Sequence, residues 1–161
     1  VIVPAVTPGE KGLLVEYLAV KLGTTANRLV GNMPYEVIAV VKAGIGVGAV
    51  LYTNYRETSI EISLAGDPGW VGRHDLKIIF SYPFIQLGVL RLNACIRRDN
   101  HASRYFAHKL GGREVGVLEN EYGHGIDGIL YTMTPERCRW INSSEMNGYR
   151  PHGKTKRSQA A

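Results

Sequence analysis

Apolar positions along this chain recur at two spacings, and the alternation between them sets the order of elements. Leu14, Tyr17, Leu18 and Leu22 fall at helical spacing. Just upstream, Thr7-Pro8-Gly9-Glu10 has the form of a capping box, with Pro8 suited to the first helical position. Gly23 supplies a C-terminal stop. Val1 to Val6 reads as an edge strand, and residues 24–34 as a loop or short helix. The period then changes to two. Glu36–Lys42, Ile45–Asn54 and Thr58–Leu64 read as strands, the first two joined at Ala43-Gly44. Gly44, Gly46 and Gly48 weaken that region as a strand but permit close packing. In the third strand Ile60, Ile62 and Leu64 share one face, and Glu61 and Ser63 the other.

Gly66-Asp67-Pro68-Gly69 breaks the pattern. Leu76, Ile79, Phe80, Phe84 and Leu87 then form a helical stripe that stops at Gly88. Pro83 lies inside it, lacks an amide hydrogen, and should kink or shorten the helix near Ser81. Leu90–Ile96 is the next strand. Asp99 or Asn100 caps a helix carrying Ala102, Phe106 and Leu110, with His108 and Lys109 in the last turn, where positive charge is favoured. Glu114–Tyr122 and Ile126–Thr134 are strands joined by Gly123-His124-Gly125, a hairpin signature. The order is β-α-β-β-β-α-β-α-β-β, with no internal repeat and no linker within residues 1–141.

Composition narrows the class. The chain has 161 residues, 45% hydrophobic and 20% charged, which suits one globular domain. That domain is expected over residues 1–141. Residues 142–161 form a basic tail with Arg150, Lys154, Lys156 and Arg157, read as disordered: a solubilising end or a nonspecific nucleic-acid arm. No apolar run approaches the roughly 18 residues of a membrane span. There is no basic-then-apolar leader, though a chain starting at Val1 leaves a trimmed N-terminus open. Cys95 and Cys138 lack metal-ligand spacing, and a reduced, cytoplasmic setting is the simplest reading. His101 and His108 stand two turns apart, roughly 10 Å along a helix, too far to share one metal. No metal site is expected. Gly44-x-Gly46-x-Gly48 lies inside a hairpin, so a dinucleotide-binding reading fails its context. The net charge of +5 suits a phosphate-bearing partner, either a cofactor or a nucleic acid.

The segment Ile79-Phe80-Ser81-Tyr82-Pro83-Phe84-Ile85-Gln86-Leu87-Gly88-Val89-Leu90-Arg91-Leu92 resembles the helix-to-strand junction of the GCN5-related N-acetyltransferases (GNAT). It is nearest to the branch that acetylates ribosomal-protein N-termini and to phage-encoded relatives. Arg98-Asp99-Asn100 with Leu110-Gly111 is similar to the family's R-x-N followed eleven residues later by glycine. Ile126 to Tyr131 with Cys138-Arg139-Trp140 looks like the end of the phage relatives. The resemblance covers about residues 1–141. It implies an α+β fold: a mixed, mostly antiparallel sheet of six to seven strands, helices on both faces, and a central splay between the fourth and fifth strands.

The resemblance also implies a chemistry. Acetyl-CoA would be the co-substrate of an N-acetyltransferase acting by direct transfer in a ternary complex. Its pantetheine would lie between the splayed strands, near Ser63, Leu64, Asn93 and Asn100. Its pyrophosphate would sit at a helix N-terminus, at Trp70, Val71, Gly72, Arg73 and His74, where free amides attract anions. The loop departs from the family's R/Q-x-x-G-x-G/A: Asp67 stands at the Arg/Gln position, Trp70 at the first glycine, and only Gly72 matches. Arg73 and His74 could compensate by contacting phosphate directly. Glu61 stands where the family often places a general base, and Tyr131 could reach the acceptor channel. A tyrosine that protonates the thiolate in many members is replaced by Ala107; Tyr105 lies about 200° around the helix from it and cannot simply substitute. The acceptor would be an amine of a protein N-terminus, a small molecule or a nucleobase, on a monomer or homodimer. Two alternatives stay open: a phage-type enzyme that modifies DNA bases, and a homologue that kept the fold and lost the reaction.

Overall fold

The computed structural model describes residues 1–146. Its first helix follows from the local chemistry of its ends. Helix α1 (Pro8–Leu22) begins at Thr7, whose hydroxyl accepts from the Glu10 amide, while the Glu10 carboxylate accepts from the Thr7 amide. It ends at Gly23, which takes a left-handed conformation with φ 67°. Losing the Thr7 hydroxyl in Thr7→Ala is expected to destabilise the fold by about 1 kcal/mol, read as a lower urea midpoint at unchanged slope. A short helix α2 (Ala26–Val30), capped by Thr25, fills part of the irregular stretch.

Seven strands form one sheet: β1 (Ile2–Pro4), β2 (Tyr35–Lys42), β3 (Ile45–Thr53), β4 (Ser59–Gly66), β5 (Arg91–Arg97), β6 (Arg113–Gly123) and β7 (Ile126–Met133), in the order β1-β2-β3-β4-β5-β7-β6. All neighbours are antiparallel except β4 and β5. Helix α3 (Arg73–Ser81) and helix α4 (His101–Leu110) connect β4 to β5 and β5 to β7's hairpin. The expected mixed sheet with a splay between the fourth and fifth strands is the architecture observed.

Period two divides the strands between two cores. Val50, Tyr52, Ile60, Ile62 and Leu92 pack with Ile79, Phe80 and Phe84 under α3 and α4. Ala49, Leu51 and Val37 pack with Val15 and Leu18 of α1 on the opposite face. Glu61 and Ser63 alternate with Ile60 and Ile62, so they face the α1–α2 side.

Pro83 acts as a terminator. α3 stops at Ser81 and the chain continues through a π-helical turn, Tyr82–Gln86, in which the Leu87 amide donates to the Tyr82 carbonyl. A wider turn accommodates a ring that has no amide to donate. Asn100, not Asp99, caps α4: its Oδ1 accepts from the Ser103 amide at 3.1 Å. Helix α5 (Ser143–Met146) lies beyond the domain end expected at residue 141, and Lys77 pairs with Glu145 at 2.9 Å. The basic residues of the tail, Arg150 to Arg157, lie outside the described residues. Among the described residues no helix is long and apolar enough to cross a membrane.

Candidate active site

β4 and β5 pair over only three positions: Ser59 with Arg91, Ile60 with Leu92, and Glu61 with Asn93. β4 then runs on to Gly66 still paired with β3, and β5 to Arg97 still paired with β7. Between them the sheet opens as a wedge. Backbone alternation identifies the groups that face it. The Thr58 carbonyl accepts from the Leu90 and Arg91 amides, whereas the Asp67 amide donates to Val47 of β3. Even-numbered residues of β4 therefore point toward β5, and the peptide groups of Ile62 and Leu64 face the opening. Ser63 spends its peptide groups on β3 and presents its side chain to the α1–α2 side. On β5 the Arg98 amide goes to Asp127, so odd-numbered residues face the wedge.

The opening is a cleft that passes through the sheet. It is lined on one side by Leu22, Thr24 and Leu29, and on the other by Phe106, Ala107 and Leu110. Ser63, Leu64, Asn93, Asn100 and Tyr131 of the sequence-derived site all line it. Trp70, Val71, Gly72, Arg73, His74 and Glu61 stand outside the lining.

Glu61 is half-buried at the narrow end of the wedge, opposite Thr53 on one side and Asn93 on the other. Asn54 Nδ2 donates to its Oε1 at 2.9 Å, and Arg56 Nε donates to Asn54 Oδ1 at 3.0 Å. Asn54 holds this position with φ 52°, a left-handed conformation that asparagine tolerates. The relay fixes one carboxylate oxygen of Glu61 and gives the other no protein partner among the described residues. The side chain is thus oriented through one oxygen only.

Tyr131 has a different setting. It pairs with Ala94, on the α3–α4 side of the sheet, and is 2% exposed. Its hydroxyl accepts from Arg104 Nε at 3.2 Å, donates to Glu114 Oε2 at 3.2 Å, and lies 3.5 Å from His108 Nε2. That network ties α4 to the last two strands. Tyr131 and Glu61 are not brought together; they occupy opposite faces. Ala107 lines the cleft, and Tyr105 is 64% exposed with Lys109 over its ring.

The loop after β4 is built around Trp70. Its indole lies on Gly48 and Gly66, which face each other across β3 and β4. A Cβ on Gly48 would fall inside contact with indole Cε3 and Cδ2, and one on Gly66 would also meet the Val47 carbonyl oxygen at 2.6 Å. Lys21 pairs with Asp67 at 2.6 Å, and Lys42 Nζ donates to the Gly69 carbonyl at 2.6 Å, so the loop is tied from outside. At the start of α3 the Gly72 amide donates to Asp75 Oδ2 at 2.9 Å. The helix supplies its own carboxylate to its cap, which leaves the exposed Arg73 and His74 to offer amides, and Arg73 its positive charge.

Phe106, Cys95 and Tyr122 are among the lining residues that were not legible as site residues in the sequence. Tyr122 reaches the cleft because β6 and β7 lose register between Leu118 and Gly123, and Asn120 takes φ 55°. Its hydroxyl donates to the Cys95 carbonyl at 2.7 Å, and Arg28 of α2 stacks on its ring at 4.9 Å while pairing with Glu121. The hairpin is thereby strapped over the α2 side of the cleft. Only a regular two-period strand was visible there, and no local signal marks an irregular one.

Burial, reinforced by the Glu121 carboxylate, pushes the Cys95 thiol up to about 11 from an ordinary 9.0. The folded state keeps this proton at pH values where the unfolded chain releases it, so stability falls between pH 9.0 and about 11. Alkylation of Cys95 by iodoacetamide, followed by mass spectrometry, is expected to stay slow at pH 8 and accelerate only toward pH 11. An inflection at or below pH 9.0 would contradict the buried setting. Among the described residues no three His, Cys, Asp or Glu side chains converge on a metal-sized site.

No family model matches the chain, and no curated protein matches it by sequence. Solved structures match it by shape. Mycobacterium smegmatis RimJ, solved in complex with CoA-disulfide, superposes with a TM-score of 0.58 at 20% identity, over 71% of this chain and 59% of that one. An acetyltransferase of the GNAT family from Bacillus anthracis gives 0.52 at 21% identity, over 63% and 66%. The yncA protein of Salmonella typhimurium, solved with its cofactor acetyl-CoA, gives 0.61 at 18% identity, over 83% and 92%. The chain therefore spans less than two thirds of the RimJ and Bacillus chains. At these identities the likeness is one of architecture, and together with the strand order, the single parallel pair and the wedge it establishes that this chain has the fold of the GCN5-related N-acetyltransferases.

Proposed function

We propose that the protein is an acetyl-CoA-dependent N-acetyltransferase acting on a primary amine. The observation that carries this is the wedge: two adjacent parallel strands that part after three residue pairs and turn the peptide groups of Ile62 and Leu64 toward each other's gap. An extended amide-bearing arm is complementary to such an edge, much as an added strand would be. The shape likeness to structures holding CoA-disulfide and acetyl-CoA supports the same donor. Exposed Arg73 and His74 at the start of α3 suit its phosphates; the Asp75 carboxylate, already at the Gly72 amide, shifts that task toward their side chains.

In this reading Glu61, oriented by Asn54, takes the proton from the acceptor ammonium or from a water between them. The amine then attacks the thioester carbon. A C–N bond forms, the C–S bond breaks, the nitrogen of the adduct releases its second proton to solvent, and the thiolate leaves to be protonated from solvent, since Ala107 offers no acid. The Leu64 amide is the donor placed to polarise the thioester oxygen. Tyr131 holds α4 in place through Arg104 and Glu114 and takes no part in proton transfer. The acceptor is a protein N-terminus, as in the ribosomal-protein branch the sequence resembles, a small-molecule amine, or a nucleobase as in the phage relatives.

Calorimetric titration with acetyl-CoA tests the donor. Saturable heat near one equivalent, with a rise in melting temperature, is the expected result. Absence of both would overturn the assignment.

A further inference from the structure

Two aromatic rings, Trp70 and Phe106, meet beyond the splayed strands. Trp70 follows β4, and Phe106 stands on α4, after β5; their contact therefore joins the elements that descend from the two splayed strands. The ring centroids are 6.3 Å apart and the planes are tilted by 58°. Phe106 lines the cleft and Trp70 does not. Phe106 is thus the wall of the cleft, and Trp70 is what it leans on.

The two rings differ in freedom. Trp70 is 7% exposed, seated on the Gly48–Gly66 pair, and its loop is tied by Lys21 and Lys42. Lifting an indole from such a bed exposes on the order of 200 Å² of apolar surface. Phe106 is only half-buried and sits on a helix flank, so it moves at lower cost. The cleft it bounds has a volume of about 100 Å³, below the roughly 300–1,000 Å³ of ordinary ligand pockets. Along the chain, Trp70 stands between Leu64 of β4 and the exposed start of α3 at Arg73.

Resting on the acetyl-CoA reading above, we propose that Phe106 closes the donor end of the cleft against Trp70, and that the donor arm displaces Phe106 and takes its place on the indole face. Trp70 then contacts the donor through its ring, at a position where a glycine would have offered only backbone. The closed pair lowers the apparent affinity by the fraction of molecules in which it is open.

The protein has two tryptophans, Trp70 and Trp140, so Trp140→Phe leaves Trp70 as the only indole reporter. In that background acetyl-CoA is expected to change the emission saturably, in step with the calorimetric heat. Phe106→Ala is expected to bind acetyl-CoA roughly three- to tenfold tighter and to associate faster, because the closing contact is gone. Phe106→Leu, which keeps most of the packing, should shift in the same direction if the alanine variant does not fold. Heat without a change in Trp70 emission overturns the proposal while leaving the donor in place, and so does a Phe106 variant that binds no more tightly than the parent. No heat with any of these proteins overturns the donor assignment, and the proposal with it.

Discussion

Replacing Gly48 with alanine is expected to destabilise the fold by about 3 kcal/mol, at the upper end of the range for overpacking a tight site. The added methyl has nowhere to go. It points into the six-membered ring of Trp70, and the indole cannot retreat because Gly66 and the tied loop hold it. Gly66→Ala meets the five-membered ring of the same indole and also the Val47 carbonyl oxygen, part of a strand that cannot yield. The cause is identified by a double-mutant cycle. Trp70→Ala alone costs roughly 3–5 kcal/mol through the cavity it leaves. Combined with Gly48→Ala it should cost less than the sum, because the methyl then occupies vacated space. Additive losses, read from urea unfolding, would mean that Gly48 matters for its backbone and not for the indole.

Glu61→Gln is expected to lower kcat/KM for acetyl transfer by roughly 10²–10⁴-fold, the usual contribution of a positioned general base, with little change in acetyl-CoA affinity. Glutamine keeps the shape and can still meet Asn54, but it cannot take a proton. Asn54→Ala should produce a smaller loss in the same direction, since it frees the carboxylate to turn without removing it. Raising the pH supplies more neutral amine and should recover part of the activity of Glu61→Gln. A variant that retains full activity at neutral pH would remove Glu61 from the reaction. Tyr131→Phe, by comparison, should act mainly on stability, by removing the hydroxyl that bridges Arg104 of α4 to Glu114 and leaving only their direct 3.5 Å ion pair.

The sequence by itself determined the elements, because their causes are local. The Thr7–Glu10 box, Gly23, the break at Gly66–Gly69 and the two hydrophobic periods each act within a few residues. They yielded the strand and helix order, the face on which Glu61 stands and, through a family resemblance, the wedge. Pro83 was legible as a disruption, while the π-helical form it produces depends on what packs around it.

What only the tertiary structure decided are relations between distant segments. That Gly48 and Gly66 lie opposite each other, and so form the seat for Trp70, follows from strand register. Trp70, unfavourable as a backbone contact when judged against a glycine-rich loop, proves to be a core residue closing on Phe106 from another helix. Tyr131 could be read from its strand as packed or as reaching an acceptor channel, and its pairing with Ala94 buries it on the face opposite Glu61. Tyr122 reaches Cys95 only because a hairpin loses register. A single strand carries its alternation but not the identity of its neighbours, since shifting pairing by one residue exchanges the two faces. The chain thus spells out which way each side chain alternates, and the sheet alone decides what it meets.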